Sequence, residues 1–412
     1  MVQDYISKLR LISRDARLLL AVSALSGLTV WGGIYSVLLN LYLLRLGYGT
    51  RFIGLVNSVG LLSVGVLSLP AGIISVRLGT RRMLIAGVGV SAVGFAALPL
   101  VEFAPAGIRA PLILITYLVG YIGMTLWAVN TSPCLAAATS EQERSYAFSV
   151  RMGLTSLAAF VGSLIAGFLP GLAAILLNRS LDDPAPYRYT LLLAGALVFL
   201  GVPALAATSQ SVIEPPSQTT EDSGKAPWTP ILVISLVVLL TVFGEGAVRT
   251  FYNVYLDTEL AISTAQIGTI SAIAQLLALP AALITPLLAD RLGLAKATQI
   301  GNVATALCLL PVALWPARLA AAGGVIGTLA CANLARTAIT TLQQECVEPR
   351  WRSTMSGATT TTAGLGFAAA AFGGGYLVPA MGYRSLFLVG AAISFAGILV
   401  FWGYLRKGTA RA

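Results

Sequence analysis

Residues 72 to 82 read Gly72-Ile73-Ile74-Ser75-Val76-Arg77-Leu78-Gly79-Thr80-Arg81-Arg82 and separate two runs, Phe52 to Val76 and Met83 to Val101, that contain no Asp, Glu, Lys or Arg. The centre of this stretch, Arg77-Leu78-Gly79, returns as Arg291-Leu292-Gly293, again between uncharged runs, Leu260 to Ala289 and Ala297 to Ala317. Each run is long enough for a helix to cross a hydrocarbon core of about 30 Å, which takes roughly 20 apolar residues. A basic turn repeated between such runs points to a membrane chain built twice.

Outward from these turns the same pattern fills the sequence. In the first half the uncharged runs are Leu18 to Leu44, Phe52 to Val76, Met83 to Val101, Ala110 to Ser140, Met152 to Asn178 and Tyr189 to Ile213. In the second half they are Ala226 to about Leu256, broken by Glu245 and Arg249, then Leu260 to Ala289, Ala297 to Ala317, Leu319 to Gln344, broken by Arg336, Ser353 to Tyr383, and Ser385 to Leu405. The expectation is an all-α membrane protein with twelve transmembrane helices in two pseudo-symmetric six-helix bundles. Other repeats agree: Asn40-x-Tyr42-Leu43 matches Asn253-x-Tyr255-Leu256, Ile53-Gly54 matches Ile267-Gly268, and Arg144-Ser145 matches Arg352-Ser353. Between the halves, Pro215, Pro216, Ser217, Glu221, Asp222, Ser223 and Gly224 have linker composition. The expected division is 1–208, a linker at 209–229, and 230–412.

Composition excludes other classes. Of 412 residues 57% are apolar and 10% charged, against about 25% charged in soluble domains. The net charge of +10 does not form one basic face, so it speaks for topology and against nucleic acid. There is no His, and Cys134, Cys308, Cys331 and Cys346 show no paired spacing, which argues against a metal site, a cofactor or a disulfide framework. Lys8, Arg10, Arg14 and Arg17 precede an apolar run too long for a cleaved signal, so the run is expected to remain as the first helix. Of the 26 Lys and Arg, 16 fall in connectors on the side of the N-terminus and 7 on the other (Arg45, Arg51, Arg109, Arg179, Arg188, Arg318 and Arg384). The positive-inside rule then predicts a multi-pass protein of the cytoplasmic (inner) membrane with both termini in the cytoplasm.

The stretch around Arg77 resembles the signature of the major facilitator superfamily: a Gly, three variable residues, Asp, a basic residue, one residue, Gly and further basic residues. Val76 stands at the Asp position; the second copy keeps Asp290 but has Pro286 at the first Gly. The resemblance implies a twelve-span transporter whose first, fourth, seventh and tenth spans line a central cavity. It also implies a gate of charged residues at the cytoplasmic end, here Arg77, Gly79, Arg81, Arg82, Asp290, Arg291 and Gly293. Arg144, Arg151 and Arg352 are expected to join that gate or to anchor the loops at anionic lipid. The loss of Asp at Val76 removes a partner from the first copy.

Ionisable residues inside a span cost at least a few kcal/mol and need a partner or a wet cavity. At 1.5 Å per residue, Glu245 lies roughly 3 Å, Arg249 about 9 Å and Arg336 about 7 Å from the centre of its span. Glu245, Arg249 and Asn253 share a helix face, as do Asn333 and Arg336. An ordinary pair within one helix, Glu245 with Arg249, is an alternative to a functional site. Trp31, Tyr35 and Asn40 on the first span, with Tyr117, Tyr121, Trp127 and Asn130 on the fourth, offer an opposing aromatic and amide wall. The expectation is a secondary active carrier of a small organic solute, working as a monomer by alternating access. Proton coupling would run through Glu245, and the solute is either a drug-like compound for efflux or an organic anion or zwitterion held by Arg249 and Arg336. No catalytic constellation points to an enzyme.

Overall fold

The computed structural model describes residues 13–209, 227–348 and 351–409. The expected linker falls almost wholly outside them. All regular structure among the described residues is helical, and eleven stretches are long and apolar enough to cross a membrane. The last, Arg352–Arg406, holds 55 residues. At 1.5 Å per residue that is more than twice a bilayer core, and the stretch is folded in two at Gly382 (φ 78°). Twelve spans result.

Most spans begin and end near a charge, whereas the helix of span five starts at Glu141 and carries Glu143, Arg144 and Arg151 ahead of its uncharged run. Span two is Thr50–Leu78, span four Ala106–Ala137, span five Glu141–Leu177, span seven Trp228–Thr258, span eight Thr264–Leu292, span nine Leu294–Leu314 and span ten Arg318–Glu345. Span three, Thr80–Ala97, ends in a 3₁₀ helix, Leu98–Phe103, and span six, Ala185–Phe199, continues into a short second helix, Gly201–Ala206. Gly79 (φ 91°) and Gly293 (φ 86°), the glycines of the repeated basic turn, join their helices through a single residue, as Gly382 does. At such positive φ a Cβ is strained, so each turn depends on glycine.

Span one departs from the expected continuous helix. It runs from Arg14–Thr29 to Ile34–Arg45 with a break at Trp31, Gly32 (φ 84°) and Gly33. A Cβ on Gly33 would overlap the Leu28 carbonyl oxygen. The freed backbone groups find partners: Gly32 N donates to Ser36 Oγ at 3.0 Å, Ser36 Oγ donates to Val30 O at 2.7 Å, and Ser163 Oγ of span five donates to Gly32 O at 2.7 Å. Without such partners a break at this depth would be costly.

The halves meet in a two-fold manner set by the internal repeat. Gly54 of span two crosses Gly375 of span eleven, and its counterpart Gly268 of span eight crosses Gly167 of span five. A Cβ on Gly54 would lie 2.9 Å from Gly375 Cα and 2.4 Å from Ala371 O; one on Gly268 would lie 2.4 Å from Gly167 Cα and 2.6 Å from Ser163 O. The backbones touch because no side chain intervenes. Gly54→Val and Gly268→Val should each destabilise the protein by about 1–3 kcal/mol, the usual cost of overpacking, read as a lower thermal midpoint in detergent. Unchanged midpoints would show that these crossings are loose.

Candidate functional site

A cavity of about 330 Å³ lies between the halves. Spans one to four contribute Trp31, Tyr35, Asn40, Asn57, Phe95, Tyr117 and Tyr121 to its wall; the second half contributes Arg249, Thr250, Tyr252, Gln275, Arg336 and Phe367 among others. Four rings of the first half form one packed group on its wall. Tyr35 and Phe95 stand 4.7 Å apart between ring centroids, Tyr117 and Tyr121 also 4.7 Å, and Phe95 is set edgewise to both tyrosines at 6.2 and 6.1 Å.

The charges come from two helices. Arg249 Nε donates to Glu245 Oε1 at 2.6 Å within span seven, one turn apart. Arg336 Nη2, from span ten, donates to both oxygens of the same carboxylate at 2.6 and 2.7 Å. Glu245 thus sits in both the pair within its own helix and a bridge to the next one. The Glu245 side chain is 5% exposed, whereas Arg249 is 38% and Arg336 44% exposed. The carboxylate is hidden behind the guanidinium groups, and one positive charge in excess faces the cavity. Arg336 also lies over the Phe367 ring, 5.5 Å from its centroid.

The structure brings together Trp31, Tyr35, Asn40, Tyr117, Tyr121, Arg249 and Arg336 from the expected residues, with Glu245 behind them. It does not bring Asn253 or Asn333 to the cavity wall. Asn253 is fully buried and donates to the Val37 carbonyl of span one at 2.8 Å; Asn333 bonds back to Leu329 O of its own helix. Trp127 packs inside the first bundle and Asn130 bonds back to Leu126 O. Asn253 keeps the face of Arg249 but lies one turn further along span seven, where it meets the other half instead of the cavity.

At the end opposite Gly79 and Gly293, here called the far end, the halves are clasped. Asn40 Nδ2 donates to Thr250 O at 2.6 Å, and Asn253 Nδ2 donates to Val37 O at 2.8 Å. Each Asn of the repeated Asn-x-Tyr-Leu reaches the carbonyl three residues before the other, so the clasp is reciprocal. The paired tyrosines follow the same symmetry: Tyr42 Oη donates to Pro99 O at 3.1 Å and Tyr255 Oη to Val312 O at 3.3 Å. Beyond the clasp, Arg45 makes two hydrogen bonds to the Asp257 carboxylate, at 2.9 and 2.7 Å, and Tyr187 Oη pairs with Thr264 Oγ1 at 3.0 Å. The sequence reading counted Arg45 only as a connector charge and missed Asp257, Asn57 and Gln275, the first because it sits at a span end and the amides because they carry no charge.

Among the described residues, those expected to gate the other end are not joined across the halves. Arg81 bonds Thr208 Oγ1 and Ala206 O, Arg144 bonds Ala136 O, and Arg352 bonds Gln344 O, all within their own half. Arg77, Arg82, Asp290 and Arg291 are exposed. Arg151 is half-buried beside Phe148, with no hydrogen-bond partner for its Nε among the described residues.

Twelve spans in two related bundles, clasped at one end of a central polar cavity, define a secondary transporter. The chain belongs to the major facilitator superfamily: that family, described as Major Facilitator Superfamily, matches residues 19–243 and again 234–411. Solved structures share the fold. The nucleoside transporter NupG superposes with a TM-score of 0.72 at 14% identity, over 94% of this chain and 98% of that one. A point mutant of it gives 0.73 at 15%, over 94% and 99%. A bacterial homologue of the iron transporter ferroportin, in its inward-facing state, gives 0.72 at 13%, over 95% and 98%. No curated protein matches the sequence.

Replacing both Asn40 and Asn253 by Ala should loosen the clasp. A cysteine placed at Val37, which is fully buried, should then react several-fold faster with an impermeant maleimide than in the parent. An unchanged rate would show that Arg45–Asp257 and the glycine crossings close the far end unaided.

Proposed function

We propose that this protein carries a small organic anion or zwitterion with an aromatic or planar body across the membrane by alternating access. The observation that carries this reading is the hidden Glu245 carboxylate facing two half-exposed guanidinium groups. A surplus of one positive charge at the cavity wall favours an anion, and guanidinium forks match carboxylate or phosphate oxygens. The aromatic group on the opposite wall suits a flat apolar body.

Coupling follows from the same arrangement. An incoming acid group competes with Glu245 for Arg249 and Arg336, and the released carboxylate becomes free to take up a proton, so the solute and a proton would travel together. Expulsion of an amphipathic compound is the second reading, supported by the extent of the aromatic wall. Arg77, Arg81, Arg82, Arg144, Arg151, Asp290, Arg291 and Arg352 would then serve the opposite, cytoplasmic gate when the far end opens. In the topology expected from the basic loops, the far-end clasp faces outward and the described state is closed to the outside.

The test is a thermal-shift panel of organic anions, zwitterions and lipophilic cations on the parent and Arg336→Ala. Anions should raise the midpoint of the parent and not of Arg336→Ala; stabilisation of both by cations alone would contradict the anion reading. Glu245→Gln should abolish accumulation driven by a pH gradient while retaining solute exchange, and retained accumulation would remove Glu245 from the coupling.

A further inference from the structure

The hydrogen bonds around Asn57 determine what this side chain shows to the cavity. Asn40 Nδ2 donates to Thr250 O at 2.6 Å; a carbonyl oxygen only accepts, so this contact fixes the Asn40 amide and turns its Oδ1 towards Asn57. Asn57 Nδ2 donates to that Oδ1 at 2.8 Å and, with its second hydrogen, to Ile53 O at 2.8 Å. Both amide hydrogens of Asn57 are thereby committed within the protein. Asn57 lines the cavity, and its Oδ1 has no protein partner among the described residues, so at this point the wall offers an acceptor and no donor.

Neighbouring hydroxyls have committed their hydrogens within the protein. The Tyr35 hydroxyl donates to Phe95 O, Ser36 to Val30 O at 2.7 Å, and Tyr252 pairs with Ser271 at 2.7 Å. The guanidinium groups of Arg249 and Arg336 only donate. The polar wall thus includes guanidinium donors suited to an acid group and an acceptor at Asn57.

We propose that Asn57 is a solute-binding residue, its Oδ1 accepting a hydrogen bond from a hydroxyl, amine or amide N–H on the same anion whose acid group is held by Arg249 and Arg336. This rests on the anion reading above and narrows it to anions that carry a donor. It also links occupancy to movement. Asn57 holds Asn40, and Asn40 holds the carbonyl of Thr250, next to Arg249. A solute bound at both points pulls on one strand of the far-end clasp.

The experiment compares 3- and 4-hydroxybenzoate with the matching methoxybenzoates and benzoate, by calorimetric binding to the purified full-length protein. The parent should bind at least one hydroxybenzoate about tenfold more tightly than its methoxy partner, the range expected for one hydrogen bond. Asn57→Leu should bring that hydroxybenzoate down to the affinity of benzoate. Equal affinities for each pair in the parent, with binding still lost in Arg336→Ala, would overturn the role of Asn57 and leave the anion reading standing. Binding of no carboxylate at all would overturn the anion reading and this inference with it. If Asn57→Leu does not fold, the ratio in the parent decides.

Discussion

A carboxylate near the middle of a bilayer has to be compensated within hydrogen-bonding distance, and here the compensation for Glu245 comes from two helices. Arg249 would suffice to pair it within span seven. Arg336 reaches across from span ten to the same oxygens, so the ion group also fastens two helices that line the cavity. The fastening decides the chemistry of the wall: the acid is hidden, the guanidinium groups are half-exposed, and the charged side of the cavity belongs to the second half alone. The first half answers with aromatic rings and amides. A solute lodged between them touches both bundles, as a solute that moves the bundles must.

Closure at the far end is a consequence of the repeat. Because the two halves descend from one pattern, the contacts between them come in pairs: Asn40 with Thr250 and Asn253 with Val37, Gly54 with Gly375 and Gly268 with Gly167. The glycine pairs let backbones touch, and the asparagine pairs supply direction. Arg45 with Asp257 has no symmetric counterpart among these contacts and adds a single ionic lock outside them. Paired weak contacts of this kind can be exchanged for a similar set at the other end without a large net cost, which suits a protein that must occupy two states.

Much of this was legible in the sequence, and the reason differs by feature. Span boundaries follow from where charge is tolerated, so runs such as Phe52 to Val76 match the helix Thr50–Leu78 closely. The central charges were legible because Glu245, Arg249 and Arg336 are expensive where they stand. The break in span one was not, since hydropathy continues through Trp31, Gly32 and Gly33 and only the tertiary partners Ser36 and Ser163 stabilise it. Asn253 and Asn333 were expected at the cavity because they share a face with the arginines. Depth and local bonding decide otherwise: Asn253 sits one turn nearer the far end, where the halves touch, and the Asn333 amide turns back to the Leu329 carbonyl. The reciprocal asparagine bonds needed the register between halves, which the repeat announces without specifying. Asn57 and Gln275 bear no charge and stand in no repeat, so nothing in the sequence distinguished them.

The central claim is that this cavity carries an anion across the membrane between two states. It is tested most directly by counterflow in proteoliposomes preloaded with an unlabelled aromatic carboxylate, following uptake of the same compound in radiolabelled form. The account predicts transient accumulation of label that depends on the internal load and is lost in Arg336→Ala. Equal uptake by liposomes with and without the protein for every organic anion, beside counterflow of a neutral or cationic compound, would contradict it.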